Sequence, residues 1–508
     1  MIRALTLAAS GATATLLLLR VAVGGPLGDF AGPGPTTATF NSAIAATASA
    51  MARRRGLAAD NLRIKILSPD AFHAGESRAR ETAPPRDAEA SAHAALLEAV
   101  GLARGLDAAL EDETDRGANL APDVAWSSRF DLSARALLIS NEALPPTPTE
   151  SVVGFYHDVA LLLLDKRFPL RPFLDGVSPS PVSARAAVPA RAATKGGTRP
   201  ATKSASVTSV RVMPASPRNS DALLARQSLI EGDALVQALE HDLPTGLPSY
   251  RGLRIAAAQA QRAMHDSGAS EADDSTHKTI GTWDQERQWF SQTAGLTFVA
   301  SQRALQPWST IDGTWLSPPQ STEHILHPEK FARHEAPDDL TARLALEQHA
   351  PWQVADEDTF GEFGTFLFLQ AGVDAYHAER ASTGWAGDRA YWLRSDSDGF
   401  ALWITTWDDE TDARDFADQA LIVLERMSDS VARRRSDSAD GGRLTEAIQL
   451  TDSRGRRFAL EAGARTVGMM FAAPEAGLVA LHRLVEAAAA PFASVAPEKV
   501  LPRSRLHR

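Results

Sequence analysis

At 508 residues, 44% hydrophobic and 23% charged, the chain is long enough for roughly two to four domains and can bury a large core. Its net charge of −11 disfavours a general nucleic-acid binder, because phosphate contact needs an excess of Lys and Arg on the binding face. Cysteine is absent, which removes disulfides, thiol nucleophiles and Cys–zinc sites together, so any metal site must use His and carboxylates.

Arg3 precedes an apolar run from Ala4 to Leu19 that ends at Arg20, and Ala22-Val23-Gly24 offers a small-residue cleavage site. A basic start before such a run predicts a signal peptide or membrane anchor over 1–24 and an exported protein, whether periplasmic, secreted or membrane-anchored. No later segment reaches the roughly 18 apolar residues of a spanning helix. Residues 25–60, rich in Gly, Ala, Pro and Thr, are expected to form a flexible tether. LRIKIL (62–67) predicts a strand, residues 90–112 a helix with one apolar face, and ARALLIS (135–141) a second strand. Beyond Pro145, Pro146 and Pro148, the stretch VVGFYHDVALLLLDKRFPL (152–170) predicts a buried helix carrying His157.

Residues 176–220 break this pattern with Ser, Ala, Pro and Thr, seven Lys/Arg and no acid. Low hydrophobicity and high Pro content predict a disordered insertion, either a solvated spacer or a strap for an anionic component of the cell envelope. Helices are expected next at 220–241, 252–265, 291–305 and 359–381. The chain changes character near Gly384. Strands at 390–394 and 400–407 precede a helix at 411–427, and strands at 456–462 and 465–472 precede one at 477–490. This ββαββα order predicts a small domain with its helices on one face of an antiparallel sheet.

The fold class is therefore α+β, a mostly helical core with a small N-terminal sheet and a C-terminal α+β domain. The expected divisions are an N-terminal part at 61–175, the insertion at 176–220, a helical part at 221–383, the C-terminal domain at 384–492 and a tail at 493–508.

Helix residues four apart share a face, so two histidines in H-E-x-x-H can hold one zinc while the glutamate serves as general base. In this chain His157 takes the first position, Asp158 the base position and Leu161 the second ligand position. Leucine cannot ligate a metal, and aspartate is one methylene too short. Taken alone, His157 is a core histidine.

Other stretches add to it. LLLLDKRFPL keeps Asp165, Phe168 and Leu170, EGDA occupies Glu231–Ala234, SPPQSTEHILHPEKF spans 317–331, GWAGDR spans 384–389 and WDDETDARDF spans 407–416. Together they resemble a gluzincin-like zinc metallopeptidase family of exported bacterial and archaeal proteins, over residues of about 60 to 490. The long STEHILHPEKF match is the specific one. The resemblance implies that His157 and Glu231 stand at vestigial zinc-ligand positions and Asp158 at a degenerate base position, with Leu164 and Lys166 replacing two glutamines. It also implies Asp233, Glu323, His324 and Glu329 as cleft-lining candidates and His327 as a replacement metal ligand. The bland reading of His324 and His327 is a rigid turn built by Pro318, Pro319 and Pro328, its histidines capping backbone groups.

Trp385, Trp392, Trp403 and Trp407 form either a sugar- or peptide-binding shelf or the core of the C-terminal domain. Asp388 and Arg389 are expected to pair, and Asp408, Asp409, Glu410 and Asp412 to place negative charge at a helix start. These features describe an exported, metallopeptidase-like protein without catalysis, a pseudopeptidase with a binding or structural role in the envelope. It would need no cofactor and would bind an unknown protein or peptide, with no nucleic acid. The alternative is a zinc-dependent hydrolase with a rearranged site of His157, Glu231 and His327. A third reading is an envelope-binding module acting through the basic 176–220 loop.

Overall fold

In the computed structural model, the described residues are 37–68, 70–72, 88–102, 128–140, 150–177, 179, 218–243, 249, 251–253, 255, 283–340, 352–394, 399–429, 432–440 and 443–489. The expected signal segment, nearly all of the 176–220 insertion, most of the 252–265 helix and the 493–508 tail lie outside them. Among the described residues, no helix is long and apolar enough to cross a membrane.

The N-terminal half runs α1 (Thr37–Arg55), β1 (Ile64–Leu67), α2 (Ala88–Ala99), β2 (Ser128–Asp131), β3 (Ala136–Ser140), α3 (Glu150–Arg167), α4 (Leu170–Leu174) and α5 (Ser220–Asp242). It is followed by α6 (Trp283–Arg303), α7 (Trp308–Leu316), α8 (Thr322–Leu326) and α9 (Pro328–Ala332). The C-terminal part contains β4 (Gln353–Asp358), α10 (Gly361–Gln370), α11 (Ala375–Ser382), β5 (Trp385–Arg394), β6 (Gly399–Trp407) and α12 (Glu410–Ser428). It ends with β7 (Ala432–Asp440), β8 (Arg443–Thr451), β9 (Arg457–Ala462), β10 (Thr466–Ala473) and α13 (Gly477–Ala489). The protein is α+β.

The smaller sheet has the order β1-β3-β2, with β1 parallel and β2 antiparallel to β3. Every residue of β3 is buried, as expected of a central strand with both faces covered. The larger sheet is antiparallel throughout, in the order β4-β5-β6-β10-β9-β8-β7.

Several expectations change, and strands β7 and β8 add to the expected ββαββα order. Residues 37–55, part of the expected tether, form α1, because Ile44, Ala48, Met51 and Ala52 recur on one face and bury it in the core. The expected helix at 359–381 is two helices, α10 and α11, separated where Gly372 lies against Val423 of α12. The C-terminal helices lie on opposite faces of the sheet rather than one. Phe416, Val423 and Leu424 of α12 share a core with Ala401, Trp403, Met469 and Phe471, while Leu481, Leu484 and Val485 of α13 pack with Phe400, Leu402, Ile404 and Met470. Finally, residue 384 is not a seam. The sheet begins with β4, and Trp385, Trp403 and Trp407 belong to the same core as Leu224 and Trp315 of the helical part.

Two helices position the functional site. Asn219 caps α5 through the Ala222 N–H, and α5 then runs buried between α3 and α6. Its approach to α6 is backbone to backbone. A Cβ on Gly232 would stand 2.1 Å from the Gly295 carbonyl oxygen, and one on Gly295 would stand 2.2 Å from that of Ser228. Only glycine fits at either position.

Candidate functional site

His157 projects from α3 and Glu231 from α5, and the packing of these helices brings the two side chains together. The His157 Nε2 lies 2.9 Å from the Glu231 Oε2. On the other side of the ring, Nδ1 is 3.7 Å from Asp158. Burial opposes a charged imidazole, but Glu231 and Asp158 outweigh it and push the His157 pKa up to about 10. The shift favours a charged imidazole beside Glu231 at neutral pH.

A group raised in this way contributes stability that is complete below its ordinary value of about 6.5 and is lost as pH rises through the folded value. In an NMR titration of ring-labelled protein, His157 is therefore expected to stay protonated from pH 6 to pH 9 and to release its proton near pH 10. A neutral ring at pH 8 would show that Glu231 does not hold it.

One turn beyond His157, Leu161 lines a cleft of about 330 Å³ together with Glu231. Phe130, Leu132, Leu170, Leu174 and Ile230 complete its apolar wall, and Gln227, Asp284, Arg287, Gln288 and Ser291 supply the polar side. Leu161 and Glu231 thus border one cleft, with Leu161 one helical turn from His157. Asp158 accepts a hydrogen bond from the Ser128 hydroxyl at 2.5 Å, which ties α3 to β2.

His327 does not join this pair. Its Nε2 lies 3.0 Å from the buried Glu362 and its Nδ1 3.6 Å from Glu329, and the Glu362 bond, outweighing burial, raises its pKa. Among the described residues, the group with three metal-ligating atoms close together is Glu323, Glu335 and Asp408, not one containing His157. The Lys330 ammonium already sits among those carboxylates, at 2.6 Å, 3.4 Å and 2.5 Å. Among the described residues, His157 and Glu231 therefore belong to no group of three close metal-ligating atoms.

The remaining cleft-lining candidates lie elsewhere. Asp233 is fully buried on α5, where it accepts from the Arg55 Nε and NH2 at 3.1 Å and 2.9 Å, the Trp315 indole at 2.9 Å and the Gln237 amide at 2.9 Å. Glu323 is buried against Lys330, and burial pushes its pKa up to about 7. The His324 Nδ1 accepts from the Gln320 N–H at 3.1 Å, and Nε2 donates to the Glu335 carbonyl at 2.5 Å. Glu329 is exposed.

The STEHILHPEKF stretch is thus consumed by structure. Ser321 caps α8, Thr322 donates its N–H and hydroxyl to Asp221 at 2.8 Å and 2.6 Å, and Pro328 opens α9. This clamp joins the start of α5 to α10, whose Phe363 N–H donates to the Thr322 hydroxyl.

In the larger sheet, Trp385, Trp403 and Trp407 are core, and Trp392 is half-buried. Asp388 and Arg389 do not pair with each other, since adjacent strand residues point to opposite faces. Asp388 accepts from the Phe360 and Gly361 N–H groups and from the Trp385 and Trp403 indoles, whereas Arg389 pairs with Glu357. Asp409 caps α12, as the acidic run at its start implies.

A family model described as "Domain of unknown function (DUF8575)" matches residues 349–482. The match begins just before β4 and ends within α13, so it spans the larger sheet and leaves out α3 and α5. No curated protein and no solved structure matches the chain.

Proposed function

We propose that this protein is an exported, metallopeptidase-like binding protein that holds no catalytic zinc and cleaves no peptide. The observation that carries the reading is the geometry around α3. His157 and Glu231 are bonded to each other, and the second-ligand position one turn on is Leu161, which lines a cleft with Glu231. The mapped motifs supply the likeness to a peptidase, and the apolar run after Arg3 supplies the argument for export. What remains at the old centre is a cleft with an apolar wall, which suits binding rather than hydrolysis.

Metal analysis of purified, dialysed protein tests this. Zinc is expected well below one equivalent, and unfolded casein is expected to survive incubation with the protein. Near-equimolar zinc that disappears in His157→Ala would sink the reading.

A further inference from the structure

The cleft beside His157 carries chemistry that the ion pair does not use. Six apolar side chains, from β2 (or just after it), α3, α4 and α5, make one wall. Arg287 of α6 stands on the other, and its donors are poorly matched by the protein. Its Nε is buried without a hydrogen-bond partner. The NH2 reaches Gln227 only at 3.5 Å, and NH1 lies 3.8 Å from Asp284, whose side chain is 92% exposed. An ion pair of that length to a solvated carboxylate contributes little. Burial lowers the Arg287 pKa, as expected of a guanidinium short of acceptors. Of the two carboxylates that line the cleft, Glu231 is already matched by His157 at 2.9 Å and Asp284 is turned to solvent. An incoming anion therefore meets one under-satisfied guanidinium, which binds a carboxylate in a two-pronged geometry.

We propose that this cleft binds a small apolar monocarboxylate, its hydrocarbon against the wall that includes Leu161 and its carboxylate on Arg287. The inference rests on the reading that no metal occupies the centre. The volume of about 330 Å³ lies at the low end of the range for ligand pockets, about 300–1,000 Å³, so the ligand is fragment-sized.

The test is calorimetric titration of the full chain with octanoate, with 1-octanol as the uncharged counterpart and zinc measured on the same sample. Octanoate is expected to bind saturably. Binding is expected to weaken roughly 10–100-fold in Arg287→Gln, the loss set by a charged hydrogen-bond pair. Octanol should be weaker than octanoate by a similar factor. Leu161→Phe, which fills the cleft without changing charge, should abolish binding while the far-ultraviolet circular dichroism stays unchanged. N-acetylleucine presents the same carboxylate on the model of a peptide end, and tighter binding of it than of octanoate would assign the ligand to a peptide terminus. Zinc-free protein that binds neither carboxylate, that binds octanol as tightly as octanoate, or that loses nothing in Arg287→Gln, overturns the inference alone. Stoichiometric zinc overturns the metal-free reading and this inference with it.

Discussion

Asp233→Ala is expected to cost about 3–5 kcal/mol of stability, the range for removing one partner of a buried ion pair. The carboxylate is fully buried and the Arg55 side chain is 1% exposed, so the mutation takes one of two carboxylate partners from a guanidinium that water barely reaches. Asp312 at 2.7 Å and the face of Trp308 at 4.3 Å would remain as its partners. The Trp315 indole and the Gln237 amide lose their acceptor at the same time. Because α1 meets α5 through this pair, the loss should appear as earlier unfolding of α1, read as raised amide exchange over 44–55. The double variant Arg55→Met with Asp233→Leu removes both charges and fills the volume, and it should recover most of the loss. Single and double variants of equal stability would mean that the pair is not what joins the helices. Destabilisation below about 1 kcal/mol would mean that Arg55 is already hydrated.

This pair also shows where the sequence stops being legible. EGDA resolves into three jobs set by helix geometry: Glu231 faces α3, Gly232 lets α6 approach and Asp233 faces α1. A motif match cannot separate these jobs, because each depends on which helix lies on that side. The periodicity of α1 was present at Ile44, Ala48, Met51 and Ala52, but the small residues around them carry the composition of a linker. The helices α5 and α12 and the strands β5, β6, β9 and β10 were legible because their apolar residues recur at helical or strand spacing over long runs. Strand β4, QVADED, carries little strand signal and is held as an edge by pairing with β5. Its acids serve distant partners, Asp356 bonding His93 and Asp358 bonding Ser220. The opposite placement of α12 and α13 follows from strands buried on both faces, and the unbroken apolar runs of β6 and β10 were its sequence sign. Glu323 and His324 looked like cleft residues because their partners, Lys330 and Glu335, join them only through the turns around α8 and α9.

Returning a metal to the centre is the change with the largest expected gain. The double variant Asp158→Glu with Leu161→His is expected to take up close to one equivalent of zinc and keep it through dialysis, where the parent chain takes none. Positions 157 and 161 share a helix face, Leu161 already borders the cleft with Glu231, and Glu231 already lies 2.9 Å from His157. Replacing leucine with an imidazole there completes a set of two histidines and a glutamate. The ion pair opposes this. Removing the proton from His157 at pH 7 costs roughly 4 kcal/mol given a folded pKa of about 10, at about 1.4 kcal/mol per pH unit. Zinc uptake should therefore release protons and be tighter at pH 8 than at pH 6. Leu161→His alone should bind zinc without cleaving casein, because the short Asp158 carboxylate is held by the Ser128 hydroxyl. Casein cleavage is expected only when the longer carboxylate is present as well. A double variant that folds normally, shown by an unchanged circular dichroism spectrum, yet takes up no zinc at pH 8 would mean that position 161 does not point at Glu231. The likeness of α3 to a zinc helix would then be one of sequence alone.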